Sequence, residues 1–319
     1  MKRRQIMDIK SVCVLGAGAV GSYFIWGLSE KLGNNLSVCA DGERYQRLSS
    51  QGLTINGQHY DVNVSRPDEL RGVDLLLIAT KYNALEEILP SIKKIVDPEH
   101  TIVLSLLNGI DSEDVISDYV RPKHLIHSCM KIQSTRTKSD IIFDPDRTLG
   151  LYYGIPGIRK EEDDPALLAI RDFFKSTDIR INFCPDILET LWSKFLLNVS
   201  SNLPQAILDV GIGAAEDSIY VKELTDGLAN EVAAIAEAKG IHLGDISASP
   251  INKRVSDKNA MYSTLQDVKA KRHTEVDVFA GRVIAMGEEL GIKTPFNKVV
   301  YLLIKAIEEK NDGKFDYNS

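Results

Sequence analysis

The first half of the chain alternates short apolar runs with segments of helical periodicity. An apolar run at 11–15 precedes a cluster of glycines, the segment at 19–28 has a helix-like distribution of apolar residues, and a second apolar run follows at 36–40. Continuous apolar runs at 73–80 and 101–107 are typical of strands that are buried on both faces of a parallel sheet. The pattern predicts strands that alternate with helices, as in α/β folds.

Three glycines stand between the first predicted strand and the first predicted helix, within the stretch Gly16, Ala17, Gly18, Ala19, Val20 and Gly21. In a dinucleotide-binding turn, Gly16 permits the tight turn, Gly18 lets the backbone approach the pyrophosphate, and Gly21 lets helix and strand pack closely. The phosphate charge then meets the N-terminus of the helix. The alternative is a glycine-rich turn without a ligand, and the strand–turn–helix–strand context favours the dinucleotide site.

The pattern changes further along the chain. Residues 124–154 are rich in strand-forming segments, and a predicted helix at 164–175 is followed by a last predicted strand at 178–184. From residue 187 onward the strand patterns vanish and helical periodicity takes over. We therefore predict an α/β fold with an N-terminal Rossmann-type dinucleotide-binding domain at 1–186 and a C-terminal all-helical substrate and catalytic domain at 187–319.

The end of the second predicted strand bears on the choice of cofactor. Asp41 stands there, 20 residues after Gly21. A carboxylate in this position hydrogen-bonds the ribose 2′-hydroxyl of NADH and repels the 2′-phosphate of NADPH. Arg44, three residues later, favours the phosphate, so both cofactors stay open, with a lean towards NADH. The alternative for Asp41 is a turn residue ahead of Gly42.

Polar residues also follow the next two predicted strands, Lys81 after one and Asn108 after the other. Ligands of open α/β sheets bind beyond the carboxyl ends of the strands, so both residues are candidates to contact the cofactor. A lone asparagine at a strand end is more often a turn former, and the repetition over several strands favours the ligand interpretation.

A largely apolar helical segment in the second half carries polar residues at a spacing of four, namely Lys194, Asn198 and Asn202. At about 100° per residue this spacing places all three on one face. A lysine in apolar surroundings is unfavourable unless it is paired or its pKa shifts. The polar face therefore predicts a lined cleft, against the alternative of a solvated lysine on an outer face. Pro204 is expected to kink or end this helix just beyond Asn202.

Residues 260–290 form a long helical pattern that ends at Gly291, and Ser263 stands near its start. Glu275 follows Lys271 by four residues. Periodicity by itself therefore favours a surface ion pair for Glu275 over a place in the cleft.

These stretches together resemble the ketopantoate reductase (2-dehydropantoate 2-reductase) family over nearly the whole chain. The resemblance rests on "GAGAVGS" at 16–22, "ATKYNAL" at 79–85, "SLLNGI" at 105–110, "LWSKFLLNVSSNLPQAI" at 191–207, "STLQDVKAKRHTEVD" at 263–277 and "GIKTPFN" at 291–297. The first motif is shared by many Rossmann proteins, whereas the lysine–asparagine helix combined with the Ser-x-x-Gln-Asp and Thr-Glu-x-Asp stretches is highly specific.

The resemblance implies hydride transfer from a nicotinamide cofactor to the C2 ketone of ketopantoate, which yields pantoate for coenzyme A synthesis without a metal. Lys194 is then the general acid towards the ketone oxygen, and Glu275 orients the substrate and assists the lysine. This replaces the surface-pair interpretation of Glu275.

The resemblance also implies the binding residues. Asn198, Asn202 and Ser263 would hold the hydroxyl and carboxylate of the ketoacid, while Lys81 and Asn108 would contact the cofactor near the nicotinamide.

Two stretches depart from the family's usual pattern. Family members usually carry an arginine at the end of the second strand that grips the 2′-phosphate of NADPH, and this chain has Asp41 there. The family thus implies NADPH, whereas Asp41 argues that NADH is used at least as well. The stretch "HSCMKIQST" replaces a small, threonine-rich strand that faces the substrate, which leaves the identity of the ketoacid open.

Composition and charge limit the classes of molecule that this protein is expected to bind. The net charge of −7 gives no electrostatic basis for nucleic-acid binding. No apolar run has the length of a membrane span, and the N-terminus lacks the apolar region of a signal peptide, so we expect a cytoplasmic protein. The four cysteines are widely spaced without a CxxC motif, which predicts neither disulfides nor a zinc site. The expected partner is a small 2-ketoacid, and a homodimer stays open.

Two other functions remain as alternatives. One is a related 2-ketoacid or β-hydroxyacid reductase of different specificity, since β-hydroxyacid dehydrogenases also combine a Rossmann domain with a helix-borne lysine. The other is a non-catalytic protein that senses the NAD(H) ratio. Lys194, Asn198 and Glu275 argue against a sensor, because a sensor has no use for a proton donor.

Overall fold

The computed structural model describes residues 7–137, 140–244 and 257–315. The chain divides into two compact units, Met1–Leu188 and Glu189–Ser319, called unit 1 and unit 2 below. Unit 1 combines strands and helices, and the described part of unit 2 is helical. The predicted α/β fold with a helical C-terminal region is confirmed.

The strands of unit 1 are three to eight residues long, and those at 12–15, 36–39, 75–78 and 102–105 are buried throughout. They are β1 (Val12–Leu15), β2 (Leu36–Cys39), β3 (Leu53–Ile55), β4 (Gln58–Tyr60), β5 (Asn63–Ser65), β6 (Leu75–Ile78), β7 (Ile102–Ser105), β8 (His124–Lys131), β9 (Ser134–Arg136), β10 (Ile141–Phe143), β11 (Gly150–Gly154) and β12 (Ile181–Phe183).

The larger sheet has the strand order β12-β11-β8-β7-β6-β1-β2-β5. From β8 to β5 its strands run parallel, while β11 is antiparallel to β8 and parallel to β12. In β1, Val12 is in register with Leu36 of β2 and Leu75 of β6. A second, smaller sheet has the order β4-β3-β10-β9. The parallel strands around β1 confirm the Rossmann-type prediction.

Helices cover the sheet of unit 1. They are α1 (Ala19–Leu32), α2 (Gly42–Gln51), α3 (Leu85–Ile95), α4 (Ser112–Val120) and α5 (Pro165–Phe174). Successive residues of β1 alternate between two cores, because side chains of a strand point to opposite faces: Val12 and Val14 lie in one core, Cys13 and Leu15 in the other. Burying both faces explains why the strands were visible in the sequence as continuous apolar runs.

The described part of unit 2 consists of helices and two π-helical turns. Its elements are α6 (Ile187–Leu197, which begins in unit 1), the first π turn (Asn198–Asn202), α7 (Leu203–Leu208), α8 (Ala214–Asp217), α9 (Ile219–Ala238), α10 (Ser263–Lys269), the second π turn (Asp277–Gly281), α11 (Arg282–Leu290) and α12 (Pro295–Asn311).

Pro204 was expected to kink or end the helix just beyond Asn202, and the expectation of an end is wrong. Pro204 lies inside a helix that continues to Leu208 as α7, and the chain instead widens into the first π turn before the proline. Proline has no N–H to donate to the carbonyl four residues earlier, which is that of Ser200. A π turn lets the helix continue past such a missing hydrogen bond.

The single helix predicted at 260–290 is also wrong. α10 ends at Lys269, and Lys271 adopts a left-handed conformation with φ 51°. Arg272 folds back and donates from Nε to Asp267 at 2.8 Å. The chain therefore leaves the helix before Glu275. Gly291 does end α11 as predicted, with φ 70°.

None of the helices in the described ranges combines the length and apolar character that a membrane crossing requires. Within the same ranges, no cluster of three or more histidine, cysteine, aspartate or glutamate side chains could hold a metal ion.

Candidate functional site

The turn after β1 requires glycine at two positions. Gly16 has φ +109°, and a Cβ there would lie 2.7 Å from the carbonyl oxygen of Ala79. A Cβ on Gly21 would lie 1.9 Å from the carbonyl oxygen of Gly16. Larger side chains at either position would collide with backbone, so the turn is close-packed on both sides.

Gly18 is different, because a Cβ there would meet no atom within 4 Å among the described residues. It is the N-cap of α1, no side chain of the described chain caps it, and the first turn of the helix contains no acidic residue. Within the described ranges, the positive end of the α1 dipole therefore has no capping side chain. Nearby, the buried Oγ1 of Thr80 has no hydrogen-bond partner in the described part of the chain. Gly18, the N-terminus of α1 and Thr80 together form a site that is called the glycine cradle below. The glycine cradle fits the pyrophosphate of a dinucleotide.

The other predicted cofactor residues follow the two strands that neighbour β1 and the strand next to one of them. Asp41 and Arg44 follow β2, Lys81 follows β6 and Asn108 follows β7. In the order β7-β6-β1-β2 these strands are adjacent and parallel, so their carboxyl ends share one edge of the sheet. The structure thus brings these residues to the edge that carries the glycine turn, where Rossmann-type folds bind dinucleotides.

A hydrogen bond ties two of these loops together. The hydroxyl of Tyr82 donates to Asp111 Oδ1 at 2.7 Å. Tyr82 directly follows Lys81, and Asp111 closes the loop that carries Asn108. Sequence reasoning missed this pair, since neither residue stands out without the sheet order.

Asp41 is used by the fold itself. It is the N-cap of α2, and its Oδ1 accepts the N–H of Gly42 at 2.8 Å. The turn-residue interpretation therefore holds for one carboxylate oxygen, whatever ligand the residue also contacts. Arg44 is the third residue of α2 and is exposed.

A buried polar network lies behind the Asn108 loop. Glu113, in the first turn of α4, is only 4% exposed. Its carboxylate accepts from the Ser112 hydroxyl at 2.8 Å and from the Ser128 N–H at 3.3 Å, and Ser112 in turn contacts the Ser105 hydroxyl at 2.7 Å. Burial raises the pKa of Glu113 to about 7, because its hydrogen bonds only partly offset desolvation.

In unit 2, the polar face of the predicted helix spans α6 and the first π turn. Lys194 lies in the last turn of α6 and is partly buried. Asn198 and Asn202 begin and end the π turn, and the Asn202 amide donates to Asn198 Oδ1 at 3.2 Å. Asn202 is only 4% exposed. π turns inside helices frequently mark functional sites.

Ser263 and Glu275 lie on segments that approach the first π turn. α10, which begins at Ser263, contacts the first π turn, and so does the second π turn, which starts two residues after Glu275. Glu275 is 6% exposed, so the surface-pair alternative for it is wrong. Unit 2 thus brings together elements that carry lysine, carboxylate, amide and hydroxyl groups.

Gln205 fixes the segment that leads to Ser263. Its side chain is buried on α7, where Nε2 donates to the Ala260 carbonyl at 3.0 Å and Oε1 accepts the Tyr262 N–H at 2.7 Å. Sequence reasoning missed Gln205, although a glutamine inside an apolar helix is a usable sign of a buried polar role.

The segment that carries Glu275 is anchored in a similar way. Glu308 on α12 is 4% exposed, and its Oε1 accepts both the N–H and the hydroxyl of Thr274 at 2.7 Å. Lys305 lies 3.0 Å from the other carboxylate oxygen. The residue before Glu275 is thereby held by a buried, charge-assisted hydrogen bond.

Comparison with known proteins agrees with this arrangement. The sequence model described as "Ketopantoate reductase PanE/ApbA" matches residues 12–144, and "Ketopantoate reductase PanE/ApbA C terminal" matches residues 186–308. The glycine cradle and the lysine–asparagine helix fall in these two ranges, respectively. The chain belongs to the ketopantoate reductase PanE/ApbA family.

Two relatives match most of the chain's length. A protein named 2-dehydropantoate 2-reductase from Pyrococcus horikoshii is 27% identical over 310 residues, covering 95% of this chain and 99% of its own. A Streptococcus pyogenes protein of the same name is 28% identical over 314 residues, covering 93% and 97%.

Two solved structures share the fold. One is D-mandelate dehydrogenase with NADH and anilino(oxo)acetate, with a TM-score of 0.79, 22% identity and coverage of 95% of this chain and 99% of its own. The other is a dimeric ketopantoate reductase from Staphylococcus aureus, with a TM-score of 0.75, 17% identity and coverage of 94% and 99%.

Proposed function

We propose that this chain is a cytoplasmic NAD(P)H-dependent reductase of a small 2-ketoacid, with 2-dehydropantoate as the first candidate. The observation that carries the proposal is the set of polar groups in unit 2, on contacting helical elements, in a chain of this family. Relatives that are named 2-dehydropantoate 2-reductase over the whole chain support the choice of ketoacid.

The cofactor is held by unit 1 in this proposal. The open cradle at Gly18 and the N-terminus of α1 receive the pyrophosphate, and Lys81 and Asn108 contact the cofactor from the neighbouring loops. NADH and NADPH both fit this cradle, because the difference between them lies at the ribose near Asp41 and Arg44. When bound, the cofactor supplies the hydride that reduces the C2 ketone.

In this proposal, residues of unit 2 stabilise the negative charge that develops on the ketone oxygen. Lys194 places an ammonium beside this oxygen, stabilises its negative charge and donates a proton from Nζ, which solvent later replaces. Glu275, which is buried, favours the protonated form of the lysine and helps to orient the substrate. Asn198, Asn202 and Ser263 bind the carboxylate and hydroxyl of the ketoacid.

The fold alone leaves room for another ketoacid. D-mandelate dehydrogenase has the same fold at 22% identity. Specificity therefore depends on side chains, and a reductase of another 2-ketoacid or β-hydroxyacid is the second candidate. A non-catalytic NAD(H) sensor is the third, and it would need no lysine, asparagine and carboxylate in one helical assembly.

The test is oxidation of NADPH and NADH at 340 nm with ketopantoate, pyruvate, 2-oxoisovalerate and 2-oxo-2-phenylacetate. We expect kcat/KM to be highest with ketopantoate. A higher value with another ketoacid would reassign the substrate, and cofactor binding without turnover on any ketoacid would favour the sensor.

We also propose that the protein is a homodimer. α12 exposes an apolar face at Phe296, Val299, Leu302 and Leu303, which are 40–57% exposed. Tyr220 of α9, 76% exposed, lies two turns before Gly227, whose position adjoins the Phe296 ring. Contiguous exposed apolar surface of this kind marks an interaction site. A relative of the same fold is dimeric, which supports a second copy as the occupant.

A further inference from the structure

The edge strand β5 brings a cationic residue to the cofactor edge of the sheet. β5 pairs in parallel with β2, with Cys39 opposite Ser65, and the Ala40 N–H donates to the Ser65 carbonyl at 3.2 Å. The next residue after β5 is Arg66. Arg66 therefore lies beside the Ala40–Asp41 turn, at the strand end where Rossmann folds bind the adenosine ribose.

The side chain of Arg66 is already held over this region. Its Cζ lies 4.7 Å from the ring centroid of Tyr45, a residue in the first turns of α2. Its backbone N–H donates to Glu69 Oε2 at 2.8 Å, which fixes the start of the short turn after β5. A guanidinium stacked on an aromatic ring loses less conformational freedom when it binds an anion.

The charges around this point do not exclude a phosphate. Asp41 uses Oδ1 to accept the Gly42 N–H, so that part of its charge is directed at the start of α2. Arg44 lies one residue before Tyr45 on the same helix. Asp68, which also follows β5, pairs with Lys94 at 3.1 Å. Arg44 and Arg66 follow β2 and β5, the paired strands whose ends flank Asp41, and their acidic neighbours in the chain include Glu43 and Glu69.

We propose that Arg66, with Arg44 as a second donor, forms a 2′-phosphate site that lets this chain bind NADPH despite Asp41. The inference rests on the proposed cofactor site and adds the residue that recognises the phosphate. Guanidinium groups suit this role because their planar donors can bind phosphate oxygens in pairs. Arg66 acts from the end of β5, the strand that pairs with β2.

The test uses cofactor fragments that differ only by the phosphate, namely 2′,5′-ADP and 5′-AMP, measured by isothermal titration calorimetry at about 0.15 M ionic strength. We expect 2′,5′-ADP to bind the wild type at least about tenfold more tightly than 5′-AMP. Arg66→Ala should reduce this ratio to near one and leave the Kd of 5′-AMP unchanged. Arg66→Lys should keep part of the preference for 2′,5′-ADP, because the ammonium retains the positive charge but lacks the paired donors of the guanidinium.

Arg47→Ala is the matched control. Like Arg66, Arg47 is an exposed arginine, and it lies on α2, so its removal changes the net charge equally. A wild-type ratio near one, or an equal loss of the ratio in Arg47→Ala and Arg66→Ala, would overturn the proposal. Binding of 5′-AMP and NADH with no gain from the phosphate would overturn the Arg66 proposal alone. If neither the fragments nor the two cofactors bind, the proposed cofactor site of unit 1 is itself wrong.

Discussion

In the proposed function, Lys194 is the residue that acts directly on the reacting ketone. It stands in the last turn of α6, directly before the first π turn, whose ends are Asn198 and Asn202. Its role as general acid is part of the proposed function, because an ammonium near the ketone oxygen both neutralises charge and supplies a proton.

Lys194→Ala should lower kcat by about 10²–10⁴-fold, the range typical of losing a general acid. Kd values for NADPH and NADH should not change, because unit 1 holds the cofactor in the proposed function. Lys293→Ala, at an exposed lysine of unit 2, is the control and should keep wild-type turnover. Turnover of Lys194→Ala close to that of the wild type would remove the lysine from the mechanism.

At the scale of elements, the turn from β1 to α1 separates two roles of glycine. A Cβ at Gly21 would collide with the Gly16 carbonyl, whereas one at Gly18 would enter open space. Gly18 has φ −88°, which any residue adopts. Gly21 therefore serves packing, whereas the space at Gly18 is where the proposed function puts the pyrophosphate.

Gly18→Ala should therefore raise the Kd of NADPH and NADH at least about tenfold without lowering Tm, since the methyl group occupies space that the pyrophosphate needs. Gly21→Ala should lower Tm clearly, because backbone must move. Fluorescence titration of the reduced cofactor and thermal unfolding measure the two effects. Unchanged cofactor affinity in a folded Gly18→Ala variant would contradict the placement of the pyrophosphate.

Glu113, at the start of α4, should make the folding stability of the protein depend on pH. A carboxyl whose pKa is raised on folding, here that of Glu113 to about 7, binds its proton more tightly in the folded state. Ionising Glu113 in the folded state therefore lowers the free energy of unfolding. This loss is absent well below the unfolded pKa near 4.5 and grows as pH rises to about 7. A shift of this size corresponds to about 3 kcal/mol as an upper value.

Glu113→Gln should match the wild type in stability near pH 4.5 and exceed it at pH 8, because glutamine is isosteric with the protonated acid. Urea unfolding at both pH values measures the difference. Glu113→Ala, which leaves a cavity and unpaired serine groups, should be less stable than Glu113→Gln at both. The account would be refuted if the free energy of unfolding of the wild type, relative to that of Glu113→Gln at the same pH, did not fall between pH 5 and 8.

At the scale of the whole molecule, the exposed face of α12 is the feature that the fold of a single chain leaves unexplained. Leu302 and Val299 are more than half exposed at 54% and 57%. The helix is anchored at its N-terminus, where the Phe296 and Asn297 N–H groups donate to the buried Glu231 carboxylate at 2.8 and 3.0 Å. Its orientation in unit 2 is thus fixed, and the apolar face stays outward.

Light scattering after size exclusion should give the wild type about twice its chain mass of 35.4 kDa. The double substitution Val299→Glu and Leu302→Glu should give the monomer mass, because two charges would be buried in the interface. Leu208→Glu, at an exposed leucine of α7, should leave the mass unchanged. A wild type that is monomeric at micromolar concentration would contradict the homodimer.

Much of this protein was accessible from sequence because the relevant residues are close together in the chain. The buried strands appear as continuous apolar runs, and the glycine turn and the lysine–asparagine face are local patterns of spacing. Family resemblance added Ser263 and Glu275 to the proposed site. The long helix at 260–290 was predicted wrongly because its break depends on the left-handed Lys271 and the Arg272–Asp267 pair, which periodicity does not encode.

What the sequence by itself determined is the α/β fold, the helical second half and the residues of the proposed chemistry. Only the tertiary structure decided which distant residues support them. Arg66 comes 25 positions after Asp41 and reaches it through the pairing of β5 with β2. Gln205 reaches Tyr262, and Glu308 reaches Thr274, across comparable or longer separations. Such contacts depend on strand order and helix packing, and no local pattern of hydrophobic and polar residues specifies them.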